Sequence, residues 1–259
     1  MRARRSLTPW LVVLSLCIPA LDAAEAATFK VIPIKLYFEN NQKTQTLTIR
    51  NEHDEPVTLQ FETMEWSQDA QGQDAYVPTK DLVLFPKIVT VAAHSDKLIR
   101  LGYQGPTVTN QERAYRVYLT ELPVSKPGQA TLQMAMRLGL PVFISPAQGH
   151  PTLEIIAIAV TQDMARLLVK NPSNQHAYVK TIRVAGQAAS GAELFTGEGA
   201  GWYLLPGNQR TFPIKLPAHD CARVSTVHVT LTFSHKDLNQ PPVTSTTAVT
   251  PSHCARSTP

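Results

Sequence analysis

Long apolar runs are scarce in this sequence of 259 residues. A membrane-spanning helix needs about 18 or more consecutive apolar residues, and the apolar run from Trp10 to Ile18 is too short. Arginines at positions 2, 4 and 5 precede this run, and Ala24-Glu25-Ala26 follows it. The pattern is that of a secretory signal peptide over residues 1–26, with cleavage after Ala26. The mature chain is expected to be exported and to have no membrane anchor.

Cysteine is equally scarce. Of three cysteines, Cys17 lies in the signal peptide, which leaves Cys221 and Cys254. In an oxidising compartment these two are predicted to form a disulfide, worth roughly 3 to 4 kcal/mol on the chain-entropy model. The alternatives are two free thiols or a Cys/His metal site. No close ligand pairs accompany the cysteines, so no metal and no cofactor are expected.

A strong net charge is missing as well. Removal of residues 1–26 takes away three arginines and two acids, leaving 21 basic and 18 acidic residues. No blocks of Lys or Arg with interleaved aromatic residues occur, so nucleic acid is not an expected partner.

Sequence patterns of helices and of catalytic sites are also lacking. The chain has twenty prolines and no amphipathic helical pattern. Its eight histidines form no His-Glu-x-x-His motif, and no Gly-x-Ser-x-Gly elbow occurs. Glycines 191, 197, 199 and 201 lack the Lys and Ser/Thr of a phosphate-binding loop. The chain is therefore predicted not to be an enzyme.

What the sequence does contain is alternation of apolar and polar residues, which predicts half-buried strands. Clear examples are residues 46–50, 57–62 and 227–233, and short turn-rich stretches separate them. Such spacing favours antiparallel sandwiches. The turn formers and two prolines of residues 145–151 indicate a boundary between two domains, 27–146 and 147–259, each with about seven candidate strands.

One run stands out near the end of the first domain. Its alternate residues are large and apolar, whereas the opposite face carries small or polar residues. The apolar row comprises Leu132, Met134, Met136, Leu138 and Leu140. An ordinary core strand would explain this pattern. A strand that lends its apolar face to another protein is the second interpretation, which the two adaptable methionines favour.

Four stretches, in this order and spacing, resemble the PapD-like periplasmic chaperones of chaperone–usher pilus systems. Residues 33–38 and 46–51, with Asn51 closing the latter, resemble the first two strands of that family. Residues 114–123 resemble its sixth strand, and residues 132–146 its long seventh strand and the link between domains. The resemblance implies an all-β protein of two immunoglobulin-like sandwiches, arranged as an L or boomerang, in the periplasm.

The resemblance also implies partners and a mechanism. In this family the seventh strand fills the open groove of an incomplete pilus subunit, by β-strand addition, before delivery to an outer-membrane usher. By position, Leu132, Met134, Met136 and Leu138 would fill the groove, and Leu140 is the fifth residue expected in this subunit-binding donor strand. Another kind of protein exported by this route, a pilus subunit or a two-domain adhesin, is the alternative.

The residues that bind the subunit's C-terminal carboxylate differ from the family pattern. Lys35 takes the place of an Arg, which keeps the charge but loses the forked geometry. Pro141 takes the place of a Lys, and we expect strand pairing to end or bulge there. Arg116, which lies in the neighbouring strand pattern and is expected to point toward the cleft between the domains, is the preferred replacement. Arg137 is the other candidate. These departures resemble the archaic branch of the family.

A second family feature is an ionic link between the domains. The sequence keeps Glu112 of this link but has Ser145 where an Arg is usual, so the link is not expected here.

Overall fold

The computed structural model describes residues 29–39, 42–122 and 135–248. These residues form nineteen β-strands and one short 3-10 turn, Cys221–Arg223. The described part contains no helix long and apolar enough to cross a membrane. The prediction of an all-β chain is thus confirmed.

The first ten strands form two facing sheets. They are β1 (Phe29–Ile32), β2 (Leu36–Phe38), β3 (Thr44–Asn51), β4 (Val57–Gln68), β5 (Asp74–Pro78), β6 (Leu82–Phe85), β7 (Ile88–Val91), β8 (Asp96–Tyr103), β9 (Arg113–Glu121) and β10 (Arg137–Ile144). One sheet has the order β1-β3-β8-β6. The other has the order β2-β10-β9-β4-β5, with β7 paired to β4. A single apolar core lies within this first domain.

The remaining strands form a second sandwich. They are β11 (Glu154–Val160), β12 (Met164–Lys170), β13 (Ala177–Gln187), β14 (Glu193–Ala200), β15 (Tyr203–Leu204), β16 (Gln209–Lys215), β17 (Thr226–His235), β18 (Leu238–Asn239) and β19 (Val243–Ala248). One sheet has the order β11-β12-β16. The other has the order β14-β13-β17-β18, with β15 on β13 and β19 on β17.

The alternation in the sequence determines which side chains enter these cores. Along β17, Val227, Val229, Leu231 and Phe233 are buried, while the residues between them are more exposed. Successive side chains of a strand point to opposite faces, so each such strand contributes one row to the core. Strands up to Ile144 pair with one another, as do those from Glu154. The domain limits 27–146 and 147–259 stay predictions.

An asparagine performs the same structural task in both domains. Asn51, at the end of β3, is buried and its Nδ2 donates to the carbonyls of Glu55 (2.8 Å), Val91 (3.2 Å) and Ala92 (3.1 Å). Asn171, directly after β12, is also buried, and its Nδ2 donates to the carbonyls of Gln175 and Leu204, each at 2.8 Å. Each amide therefore satisfies buried backbone groups where the chain leaves a strand.

We expect Asn51→Ala and Asn171→Ala each to lower the free energy of unfolding by about 1 to 3 kcal/mol, because buried carbonyls lose their donor. Urea unfolding followed by circular dichroism measures this. Asn110→Ala, at an exposed position, is the control and should change stability by less than about 0.5 kcal/mol. Equal effects at all three positions would contradict the argument.

Candidate functional site

Strand β10 has a free edge over half of its length. It pairs antiparallel with β9 from Arg137 to Ile144. On its other side, parallel pairing with β2 begins only at Val142. Among the described strands, none covers the edge from Arg137 to Pro141. This segment can therefore accept a further strand.

The hydrogen-bond pattern places Pro141 on that free edge. The amide of Glu121 donates to the carbonyl of Met136 at 2.9 Å, so Met136 directs its backbone groups toward β9. Backbone direction alternates along a strand, and Pro141, five residues on, therefore faces the free edge. Because proline has no N–H, it leaves no backbone donor unpaired at that edge. The expectation that pairing ends or bulges at Pro141 is wrong for β9, because that ladder continues without a shift to Ile144.

Burial decreases along the apolar row toward the N-terminal end of β10. Leu140 is 1% exposed and belongs to the core of the first domain. Leu138 and Met136 are only partly buried and pack against the rim of that core. The row thus leaves the domain's interior as it approaches Met136. Leu132 and Met134 lie outside the described residues.

The guanidinium of Arg116 is buried and only partly hydrogen-bonded. It is 7% exposed, and its guanidinium carbon lies 4.2 Å from the centre of the Trp66 ring. Its Nη1 donates to the carbonyl of Gly139 at 3.2 Å. Among the described residues, Nε and Nη2 have no hydrogen-bond partner. Buried charged donors left unpaired are costly, so this guanidinium is prepared to receive an anion.

Lys35 lies in the same region but already has a partner. Its Nζ forms an ion pair with Asp237 of the second domain and lies 5.6 Å from the centre of the Tyr178 ring. Burial lowers the pKa of Lys35, but the hydrogen bond to Asp237 and nearby acidic groups outweigh this, so the pKa is raised. Lys35 therefore remains a cation.

The two cations share a cleft between the domains with Tyr203. The Tyr203 ring lies 5.3 Å from the ring of Trp66, against which Arg116 packs, and 4.7 Å from the ring of Tyr178, over which Lys35 lies. Burial raises the pKa of Tyr203, while the positive charges of Lys35 and Arg116 both act in the opposite direction. Since Tyr203 belongs to the second domain and both cations to the first, the three side chains meet at the interface. Lys35 and Arg116 together make this cleft basic.

Arg137 has a different environment. Its side chain is half exposed, pairs with Glu62 at 2.8 Å and stacks on the Tyr118 ring at 4.2 Å. Of the three basic residues predicted to bind a carboxylate, Arg137 is thus the one that lies on an exposed surface, where its charge is already paired with Glu62.

A hairpin of the second domain also reaches the first. Lys236 and Asp237, between β17 and β18, have φ angles of 48° and 64°, as a tight hairpin turn requires. Lys236 pairs with Glu39 at 2.5 Å, next to the pair between Asp237 and Lys35. Two ion pairs of opposite polarity therefore connect this hairpin with the ends of the short strand β2.

The ionic link that the sequence did not predict is present in altered form. Glu112 accepts hydrogen bonds from the backbone N (2.9 Å) and Nδ1 (2.6 Å) of His176 in the second domain. Ser145 donates to its other oxygen at 3.2 Å. The ring of His176 stacks on Phe143 with centroids 3.6 Å apart. A histidine and a serine thus bind the carboxylate, and no local sequence signal marks His176, 64 residues away.

The predicted disulfide cannot be placed. Cys221 begins the 3-10 turn, whereas Cys254 lies outside the described residues. The pairing of Cys221 and Cys254 stays a prediction.

Together these features define a class of protein: two immunoglobulin-like sandwiches joined across a basic, aromatic cleft, with a free edge strand beside it. Residues 28–150 match the sequence profile of the pili and flagellar-assembly chaperones, PapD N-terminal domain. Residues 28–150 therefore form a domain of the PapD-like chaperone type. A sequence search of curated proteins finds no match.

Solved structures agree in fold. A chain of the CsuC–CsuE chaperone–tip adhesion subunit pre-assembly complex, from the archaic chaperone–usher Csu pili of Acinetobacter baumannii, gives a TM-score of 0.61 at 18% identity, covering 84% of this chain and 98% of that one. The YadV chaperone gives 0.58 at 14% identity, covering 86% and 100%. The Salmonella enterica complex of SafA pilin with the SafB chaperone gives 0.57 at 15% identity, covering 86% and 98%. Identities this low establish the shared fold alone.

Proposed function

We propose that this protein is a periplasmic chaperone that binds pilus subunits by donor-strand complementation and delivers them to an outer-membrane usher. The free edge of β10 between Arg137 and Pro141 is the observation that carries the proposal. An added strand would find backbone groups there that no described strand pairs, with the carbonyl of Gly139 bonded only to the side chain of Arg116. The large apolar side chains of the row would enter the groove of the subunit. The protein acts by binding and has no catalytic step.

The apolar row supplies most of the affinity in this proposal. Leu132, Met134, Met136 and Leu138 fill the subunit's groove, whereas Leu140 anchors the strand in the chaperone's own core. Burying four such side chains is worth about 6 to 12 kcal/mol before ordering costs. A surface ion pair contributes about 0 to 1 kcal/mol, so the row outweighs it.

Arg116 binds the C-terminal carboxylate of the subunit. Two of its donors have no partner in the described part of the chain and lie in a buried, aromatic setting. A bidentate bond to a carboxylate is strong in such a setting. Lys35 contributes charge only, because an incoming carboxylate must compete with Asp237 for it. Arg137 keeps its contact with Glu62 and takes no part.

The alternative, a structural pilus subunit or adhesin, is less favoured by the topology. Such a subunit lacks its own last strand and exposes its core. Here β10 completes the first sandwich and contributes Leu140 and Val142 to its core, while β19 pairs with β17 in the second. Purified alone, the protein should stay a soluble monomer or small oligomer instead of forming fibres.

We expect the double variant Met134→Asp, Met136→Asp to remain folded and to lose subunit capture, because charged side chains do not enter an apolar groove. The measurement is co-purification from periplasmic extract with a small subunit encoded beside the chaperone.

The matched control places the same two charges on the other face of the strand, as Gln133→Asp with Ala135→Asp. It should retain capture. If the Met134 and Met136 variant still holds the subunit, or if both double variants lose it equally, the donor-strand assignment is wrong.

We expect Arg116→Ala to weaken subunit binding by roughly ten- to hundredfold, the scale of a lost charged hydrogen bond. Lys35→Ala should have a smaller effect. Binding of a synthetic peptide with the subunit's C-terminal sequence, with a free or an amidated terminus, measures the carboxylate contribution directly.

Two further variants sharpen this comparison. Arg116→Lys keeps the charge without the fork and should give an intermediate loss, whereas Arg137→Ala should stay within about twofold. Equal and mild effects of Arg116→Ala and Lys35→Ala would refute the ranking.

Export is tested at the N-terminus of the mature protein. Expressed with its full sequence, the protein should be recovered from the periplasm with Ala27 as its first residue, because cleavage is expected after Ala26. Mass spectrometry of the purified chain shows this, and an uncleaved cytoplasmic product would contradict the localisation.

A further inference from the structure

Three ligand-type side chains converge at the buried domain interface. Glu112 precedes β9 in the first domain, whereas His176 precedes β13 and His235 ends β17 in the second. One potential ligand atom from each lies within 4.8 Å of the other two. All three residues are buried. This is a two-histidine, one-carboxylate set contributed by both domains.

His235 is prepared to act as a ligand. Its Nδ1 lies 2.9 Å from the carbonyl of His176, and only a protonated nitrogen can pair with a carbonyl, so Nδ1 carries the hydrogen. In the neutral ring only one of the two nitrogens carries a hydrogen. The lone pair is then on Nε2.

Among the residues that the structure describes, none donates a hydrogen bond to that lone pair. His235 is 7% exposed, and Nε2 is buried with no hydrogen-bond partner among the described residues. A buried acceptor without a partner is costly unless something binds it. Metal-binding histidines usually donate their other N–H to a carbonyl or carboxylate, as His235 does.

Neighbouring groups also hold the other two residues in place. Glu112 accepts from the backbone of His176 and from Ser145, which fix its carboxylate between the domains. The His176 ring is fixed by its stacking on Phe143. Zinc binds nitrogen and oxygen at about 2.0 to 2.2 Å. Bringing three ligand atoms that lie within 4.8 Å of one another onto one ion therefore needs side-chain shifts on the order of 1 Å.

The cluster borders a cavity through His235. A cavity of about 250 Å³ lies between the domains and is lined by Ser145, Gln175, His235 and Lys236, among others. Its size admits water molecules, one of which could complete a four-coordinate site.

We propose that Glu112, His176 and His235 form a zinc-binding site that connects the two domains. Bound zinc takes the place of the proton between His176 and Glu112 and satisfies Nε2 of His235. The sequence did not predict this site because its ligands are far apart along the chain. It is independent of the donor strand and does not rest on the proposed function.

The test is zinc titration of the full mature protein, purified without a histidine tag and stripped with a chelator, followed by calorimetry and metal analysis. We expect about one zinc per chain and a higher Tm with zinc than with chelator. Glu112→Gln, which keeps shape and hydrogen-bond acceptance, and His235→Ala should each weaken zinc binding at least tenfold. His228→Ala, a histidine of the same strand outside the cluster, should stay within twofold.

Two outcomes would overturn the site: no zinc bound by the wild-type chain, or zinc bound equally by the Glu112→Gln and His228→Ala variants, which would mean weak binding by surface histidines. If His235→Ala fails to fold, Co²⁺ binding to the wild-type chain decides. Its visible absorption bands should report nitrogen and oxygen ligands in a site of low coordination number, and the spectrum of hexahydrated cobalt would overturn the proposal.

Discussion

The one-sided pairing of β10 is the constraint on which the remaining features depend. Its N-terminal half has β9 on one side and no described strand on the other, while its C-terminal half lies between β9 and β2. Pairing on both sides begins directly after Pro141, which faces the free side and has no N–H there. Because Leu140 and Val142 are locked in the core, the strand is fixed at one end and accessible at the other. A binding edge needs both properties, rigidity for register and access for pairing.

The local features of this fold could be predicted from the sequence, since they depend on neighbouring residues. Alternation along β17 indicated its buried face, and Asn51 was expected to close a strand. Arg116 was expected to face the cleft because of its place in a strand pattern, and it lies there against Trp66. The two unpaired donors of Arg116 could not be predicted, because they depend on what the surrounding side chains leave unsatisfied.

The contacts between the domains could not be read from the sequence. Glu112 and His176 are 64 residues apart, and Lys35 and Asp237 are 202 apart. No spacing rule connects residues so distant along the chain, and the family pattern was misleading at Ser145, where a small hydroxyl replaces a cation. Gln68 illustrates the same point, since its amide bonds both the carbonyl of Tyr203 and the N–H of Leu205. Such contacts follow from the relative position of two folded domains.

The hairpin that carries Lys236 and Asp237 has a consequence for how this interface can change. Its two adjacent side chains have opposite charges and meet Glu39 and Lys35, which also have opposite charges. A displacement by one residue would bring one pair of like charges together, either Lys236 with Lys35 or Asp237 with Glu39. The pairs therefore resist sliding as well as separation. The polarity of either pair can be reversed only by two simultaneous substitutions, which makes these four positions candidates for coupled variation among relatives.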